Sequence, residues 1–157
     1  MRPRRSTLCA AAVWAALAIC APPALPAADL DFGARAGAYL DEADPMVGLE
    51  LLTRLGSSDW FFNPNVEFVF ADSRDRFSLN ADFHYDFFEQ RQYYVWAGAG
   101  LAGIWTESAG HQDSETDLGA NLLGGIGWKL SGMTPYAQLK IVLADDSEVA
   151  AAVGIRF

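Results

Sequence analysis

The chain has 157 residues, a formal charge of −9 at pH 7 and two cysteines, Cys9 and Cys20. This length suits one domain, and the acidic balance argues against a nucleic-acid-binding surface. Because both cysteines lie near the start, the rest of the chain offers no disulfide scaffold and no cysteine-based metal or catalytic site.

The first segment has the three regions of a secretory signal peptide. Residues 1–5 are basic, residues 8–21 form an apolar stretch of fourteen, and residues 22–28 contain three prolines. The apolar stretch is shorter than the roughly twenty residues that a membrane helix needs. We expect residues 1–28 to be removed on export, which would leave residues 29–157 as one domain with a formal charge of −12 and no cysteine.

The same segment allows one alternative. Residues 17–20 resemble a lipoprotein box, whose cysteine is acylated, although Ile19 is bulkier than the small residue that this signal carries. We expect cleavage without lipidation.

After the export segment, apolar and polar residues alternate with a period of two, which is typical of β-strands with two different faces. In residues 77–87 every odd position is apolar and every even position is polar. The alternation predicts eight strands separated by turn clusters, at 32–40, 47–55, 62–70, 77–87, 93–105, 118–130, 135–143 and 149–157. Most links are short and the longest is a cluster at 107–117, so the pattern favours an antiparallel meander.

One face of each predicted strand carries no charge, while the opposite face carries five cationic and five anionic residues. A soluble ligand-carrying barrel would turn the apolar face inward, whereas an outer-membrane barrel turns it toward lipid. Nine glycines lie on the polar face, where they would weaken a strand facing bulk water but would make room for large side chains in a crowded lumen. The polar face is therefore predicted to line the lumen.

Aromatic residues cluster near the strand ends, as they do at membrane interfaces. We expect a ring at the periplasmic boundary formed by Trp60, Phe61, Phe62, Phe87, Phe88, Tyr93, Tyr94, Trp128, Tyr136 and Phe157. A second group should lie near the outer boundary, formed by Tyr39, Phe70, Phe77 and Trp105.

These features resemble the small outer-membrane β-barrel family of OmpA-type and OmpX-type proteins. The resemblance rests on the export segment, the eight alternating segments and the ending at 153–157, which is similar to that family's terminal strand signal. It implies an all-β, eight-stranded antiparallel up-and-down transmembrane barrel in the outer membrane of a Gram-negative bacterium, in contact with lipid and lipopolysaccharide. It also implies that Phe157 is read by the barrel-assembly machinery. We expect a monomer without a cofactor.

Charged residues on the predicted inner face determine what we expect of the lumen. Neighbouring carboxylates in a narrow, poorly hydrated lumen need cations close by. We therefore predict an ion network that closes the lumen, formed by Arg35, Glu50, Arg54, Glu67, Asp82, His84, Asp86, Lys129, Lys140 and Arg156. The alternative is a narrow solute or ion pore, and the role that we expect is structural or surface-interactive.

One pattern suggests an enzyme as a further alternative. Asp82, His84 and Asp86 share a strand face, where carboxylates could orient an imidazole for attack on lipid or peptide. His111 and Ser114 lie in a predicted loop without a useful spacing. We favour a histidine that only donates or accepts hydrogen bonds, and no enzymatic activity.

Acidic residues also occur in every predicted outer loop, at Asp41, Glu42, Asp44, Asp72, Asp75, Glu107, Asp113, Glu115, Asp117, Asp145 and Asp146. Such oxygen-rich clusters can hold calcium or magnesium. We favour a solvated acidic rim without a metal site.

Overall fold

The computed structural model describes residues 30–71, 74–108 and 114–157. These residues form eight strands: β1 (Leu30–Tyr39), β2 (Asp44–Arg54), β3 (Trp60–Phe70), β4 (Arg74–Glu89), β5 (Tyr93–Ser108), β6 (Ser114–Trp128), β7 (Thr134–Leu143) and β8 (Glu148–Arg156). Each strand pairs antiparallel with its neighbours in sequence, and β1 pairs with β8 to close a barrel. The predicted fold class is confirmed, while the expected signal peptide lies outside the described residues.

None of the described ranges contains a helix that is long and apolar enough to cross a membrane.

The barrel has two different ends. We call the end where β1 begins and β8 ends the terminal end, and the opposite end the loop end. At the terminal end, Leu130 and Met133 exchange backbone hydrogen bonds of 3.1 and 3.5 Å around Gly132, whose φ is 79°. β6 ends at Trp128, two residues before the predicted boundary, because Leu130 belongs to this tight turn.

At the loop end, β5 and β6 are longer than predicted. We expected a turn cluster over 107–117, but β5 continues to Ser108 and β6 starts at Ser114. Backbone pairing explains the correction, because Thr106 lies opposite Glu115 and Glu107 lies opposite Ser114 in the ladder. Polar residues thus continue the strands where their amides find partners.

The outward face of the barrel is apolar all round, and the inward face carries the buried charged and amide side chains. The outward side chains of Leu49, Leu101 and Val153 are 63%, 69% and 65% exposed. The inward side chains of Glu50 and Asn80 are buried. A continuous exposed apolar belt is unfavourable in water and is the surface that a lipid environment requires.

Four aromatic residues depart from the expected outer rings. Tyr39, Tyr94 and Tyr136 are buried inside the barrel. Phe61 also points inward, where its ring lies 5.4 Å from that of His84. The reason is strand alternation, since each of these residues occupies an inward position next to an outward aromatic or apolar neighbour.

Candidate functional site in the lumen

Five charged side chains form a continuous chain across the lumen, which we call the ion chain (Lys140, Glu67, Arg35, Glu50 and Arg156). Glu67 lies between two cations: Lys140 donates to its Oε2, and Arg35 lies 3.0 Å from its Oε1. Glu50 lies 3.7 Å from Arg35 and accepts a 2.7 Å hydrogen bond from Arg156 Nε. The five residues belong to β7, β3, β1, β2 and β8, so the ion chain links five strands.

Asp82 lies beside the ion chain and is held by amides. The Nδ2 groups of Asn65 and Asn121 each donate to its carboxylate at 2.8 Å. Asn65 in turn accepts from Arg35, which connects the two groups of residues. Because these hydrogen bonds offset much of the desolvation cost of a buried carboxylate, Asp82 can remain in the lumen next to three cations and two other carboxylates.

Glycines on neighbouring strands make the space for these side chains. Gly33 lies opposite Glu50, and a Cβ atom on Gly33 would lie 2.6 Å from the Oε1 of Glu50. Gly100 lies opposite Asp82, whose Oδ1 fills the place of a Cβ on that glycine. The same relationship joins His84 to Gly98, Trp96 to Gly125, Tyr94 to Gly127 and Tyr136 to Gly154.

Toward the terminal end, aromatic rings surround the last cation of the ion chain. The Arg156 guanidinium lies 4.3 Å from the Tyr136 ring centroid and 5.1 Å from that of Trp96. It also donates a 3.1 Å hydrogen bond to the hydroxyl of Tyr94. Cation–π contacts of this kind stabilise a buried guanidinium without a further carboxylate.

The candidate catalytic residues do not form a hydrogen-bonded relay. The Nε2 of His84 lies 3.7 Å from Asp86 Oδ1, which is too long for a hydrogen bond. His84 is 1% exposed and packs between the rings of Phe61 and Trp96, while Asp82 is engaged by asparagine amides. His111 lies outside the described residues, and Ser114 is described only as the first residue of β6.

Two residues expected in the lumen network lie elsewhere. Arg54 pairs with Asp59 at 3.7 Å, and Lys129 pairs with Glu89, all four side chains being partly or largely exposed. The correction follows from strand length: Arg54 is the last residue of β2, and Lys129 comes directly after β6. Both therefore belong to the rim of the terminal end.

An apolar cluster inside the loop end was missed by the sequence analysis. We call it the apolar layer, and it comprises Tyr39, Met46, Val69, Ala102, Ile104, Val142, Ala150 and Ala152. The Tyr39 hydroxyl donates to Glu67 at 3.3 Å, which joins the apolar layer to the ion chain. On its loop side, Arg76 lies 4.2 Å from the Tyr39 ring centroid and 2.6 Å from Glu148. Alternation places the residues of the apolar layer inward, but they carry no charge, and the predicted lumen network included only ionisable residues.

Inward amides were missed for the same reason. Asn63, Asn80 and Gln138 are buried on the lumen side together with the two asparagines that hold Asp82. Among the described residues, no three His, Cys, Asp or Glu side chains gather into a group that could hold a metal ion. Asp72 and Asp113, which belong to the expected acidic loops, lie outside the described residues.

No protein-family model matches the chain, and no curated protein sequence matches it either. Solved structures do match. The N-terminal β-barrel domain of Pseudomonas aeruginosa OprF is 18% identical, with a TM-score of 0.64 over 82% of this chain and 95% of that one. The outer membrane enzyme PagL is 17% identical, with a TM-score of 0.58 over 81% of this chain and 98% of that one.

Neisserial surface protein A (NspA) is 14% identical, with a TM-score of 0.57 over 81% of this chain and 92% of that one. At these identities the similarity defines the fold. The chain thus has the fold of the small eight-stranded outer-membrane β-barrels, and the resemblance that the sequence suggested is confirmed at that level.

Proposed function

We propose that this chain is an integral outer-membrane β-barrel protein with a structural or surface-interaction role and a closed lumen. The observation that carries the proposal is the ion chain that runs from Lys140 to Arg156 through five strands. The ion chain occupies the middle of the barrel, between the apolar layer on one side and the rings around Arg156 on the other. Each of its two carboxylates is paired with cations. Such a lumen suits a scaffold better than a channel.

The proposed location places the outward apolar belt against lipid acyl chains and the loop end against lipopolysaccharide at the cell surface. Export by the segment at residues 1–28 and assembly as a monomer belong to the same proposal. Phe157 is proposed as the signal for the barrel-assembly machinery. Its backbone exchanges hydrogen bonds of 2.8 and 3.2 Å with Phe32, and its side chain is exposed on the outer surface. An outward terminal ring is available for recognition.

The proposal includes no catalysis. A buried His84 without a hydrogen-bonded carboxylate has neither access to substrate nor a partner that would orient it. The similarity to the outer membrane enzyme PagL is one of fold. We expect the purified barrel to release no product from lipid or peptide substrates, and turnover that His84→Ala abolishes would contradict this part of the proposal.

Location and closure are tested separately. Fractionation should place the chain in the outer membrane, with a gel mobility that shifts on boiling because the folded barrel resists detergent. In planar bilayers the purified barrel should show no discrete conductance under conditions in which a general porin gives clear steps. Regular steps from a heat-modifiable preparation would contradict the closed lumen but leave the outer-membrane location intact.

A further inference from the structure

One strand of the barrel has a free edge at the loop end. The ladder between β6 and β7 begins at the pair Ala120 and Leu143. Among the described residues, 114–119 of β6 pair in register with β5 alone. Gly119 still lies beside Leu143, because a Cβ atom there would be 3.3 Å from the Leu143 carbonyl. We call the remaining five residues, 114–118, the β6 edge.

The hydrogen-bond pattern shows which backbone groups face the open side. Next to β6, the Lys129 amide donates toward β5, to Gln92, whereas Leu130 exchanges hydrogen bonds with Met133 in the turn that leads into β7. Along a strand, the N–H and C=O groups of successive residues point to opposite neighbouring strands. The β5–β6 register is continuous from Trp128 to Ser114. Thr116 and Leu118 therefore direct their N–H and C=O groups away from β5, toward the open side.

The β7–β8 turn leaves this side open. Continuing the β6–β7 register would place Asp145 opposite Leu118, but residues 144–147 turn into β8 instead. As a result Leu118 is 86% exposed. Unpaired backbone groups are not tolerated in the hydrocarbon layer, so in the proposed membrane setting the β6 edge lies above that layer on the loop side.

Charge defines what can pair with the edge. Glu115 and Asp117 lie on the edge strand itself, and Asp145 and Asp146 are exposed in the turn across the gap. A second copy of the chain is a poor partner, because antiparallel pairing of two such edges would bring Glu115 of one close to Asp117 of the other, and like charges across a strand pair are unfavourable. A cationic segment has no such cost.

We propose that the β6 edge binds an extended basic peptide segment of another protein by strand addition. The backbone of the segment pairs with Thr116 and Leu118, its apolar side chains lie beside Leu118, and its Lys or Arg side chains lie beside Glu115 and Asp117. This inference rests on the proposed surface role and names the class of partner for it. It requires no change in the barrel.

The test uses the full chain folded in detergent micelles and the capped hexapeptide Lys-Val-Lys-Val-Lys-Val. We expect the peptide to slow hydrogen exchange of the Thr116 and Leu118 amides at least tenfold, while the Asp117 amide, which faces β5, serves as an internal control. The alternating Glu-Val peptide should have no effect. Binding should weaken as salt is added, because the charges are exposed.

N-methylated peptides separate strand addition from plain charge attraction. Methylation of the valine amides should abolish binding of an antiparallel segment, and methylation of the lysine amides should abolish binding of a parallel one. Loss with one of the two supports the proposal. Equal binding of both methylated peptides, or no protection of Thr116 and Leu118 by the parent peptide, would overturn it. Protection of these amides without peptide in a barrel dimer would also overturn it, in favour of self-pairing.

Variants of the β6 edge complete the test. Thr116→Pro removes an amide on the open side and should weaken peptide binding at least tenfold, whereas Thr116→Val should bind like the parent. If Thr116→Pro does not fold, the double variant Glu115→Gln and Asp117→Asn should bind several-fold more weakly, with little salt dependence. A heat-modifiable preparation shows that the barrel is folded, so failure to bind is distinguished from failure of the outer-membrane proposal.

Discussion

The side-chain amide of Asn63 donates a 2.8 Å hydrogen bond to the backbone carbonyl of Leu51 on the neighbouring strand. The β2–β3 register places Leu51 opposite Pro64, which has no N–H to donate, and the pairing of the two strands is interrupted there. Asn63 thus supplies from its side chain the donor that the proline cannot. The relationship explains how a proline lies in the interior of a barrel strand.

We expect Asn63→Ala to lower the free energy of unfolding by about 1 to 3 kcal/mol, because it leaves the part-buried carbonyl of Leu51 without a donor. In a Pro64→Ala background the cost should be smaller, since the backbone N–H of the new residue can pair with Leu51. Urea unfolding in detergent, followed by tryptophan fluorescence, measures both values. Equal costs in the two backgrounds would contradict this role for Asn63.

The ion chain should respond non-additively to loss of its cations. Arg35→Met and Lys140→Met each leave Glu67 with one cation, so each should destabilise the barrel modestly. The double variant leaves Glu67 buried and unpaired, which should cost about 3 to 5 kcal/mol.

Adding Glu67→Gln to that double variant removes the uncompensated charge and should recover much of the loss. Unfolding measurements on these four variants and the parent test this, and conductance measurements show whether the double variant leaks. A double variant as stable and as closed as the parent would contradict the role proposed for the ion chain.

Alanine substitutions at one inward and one outward glycine test whether inward glycines make room for lumen side chains. Gly100→Ala places a methyl group on the Asp82 carboxylate and should destabilise the barrel by about 1 to 3 kcal/mol. Gly124 faces outward, and a Cβ atom there meets only the Trp96 carbonyl at an ordinary 3.5 Å. Gly124→Ala should therefore be neutral or stabilising. If the two variants have the same stability, the glycines do not serve to make room for lumen side chains.

The outward face is tested on a single strand. Ala81 lies on the apolar side of β4 near its middle, and Ala81→Arg should cost about 2 to 4 kcal/mol in a bilayer. Asp75 is exposed on the same face near the loop end, and Asp75→Arg should have little effect. Folding titrations in lipid vesicles measure the difference, and similar values for both variants would argue against lipid contact at Ala81.

Deletion of Phe157 should reduce the amount of folded barrel much more than the amount of secreted chain. The reason is that the proposed assembly signal acts after export. Pulse labelling followed by protease treatment separates the two steps, and Phe157→Tyr, which keeps an aromatic terminus, is the matched control. Unchanged yield of protease-resistant barrel after the deletion would show that Phe157 is not needed for recognition.

The number of strands, their two faces and the inward position of Arg35, Glu50, Glu67, Asp82 and Lys140 could all be predicted from the sequence. Side chains alternate at every residue of a strand, so the pattern at 77–87 determines which residues share a face without knowledge of any neighbour. The same rule places Asn121 and Met46 inward, although one is an uncharged amide and the other is apolar.

Only the tertiary structure decided which inward residues meet. Lys140 and Glu67 are 73 positions apart, and their contact depends on the register of every ladder between them and on closure of β1 against β8. Strand lengths placed Arg54 and Lys129 at the rim. The β7–β8 turn left the β6 edge without a partner among the described residues. Alternation is a local property of each strand, whereas stagger accumulates around a barrel. Depth and contact in the lumen therefore arise only when all eight strands are in place.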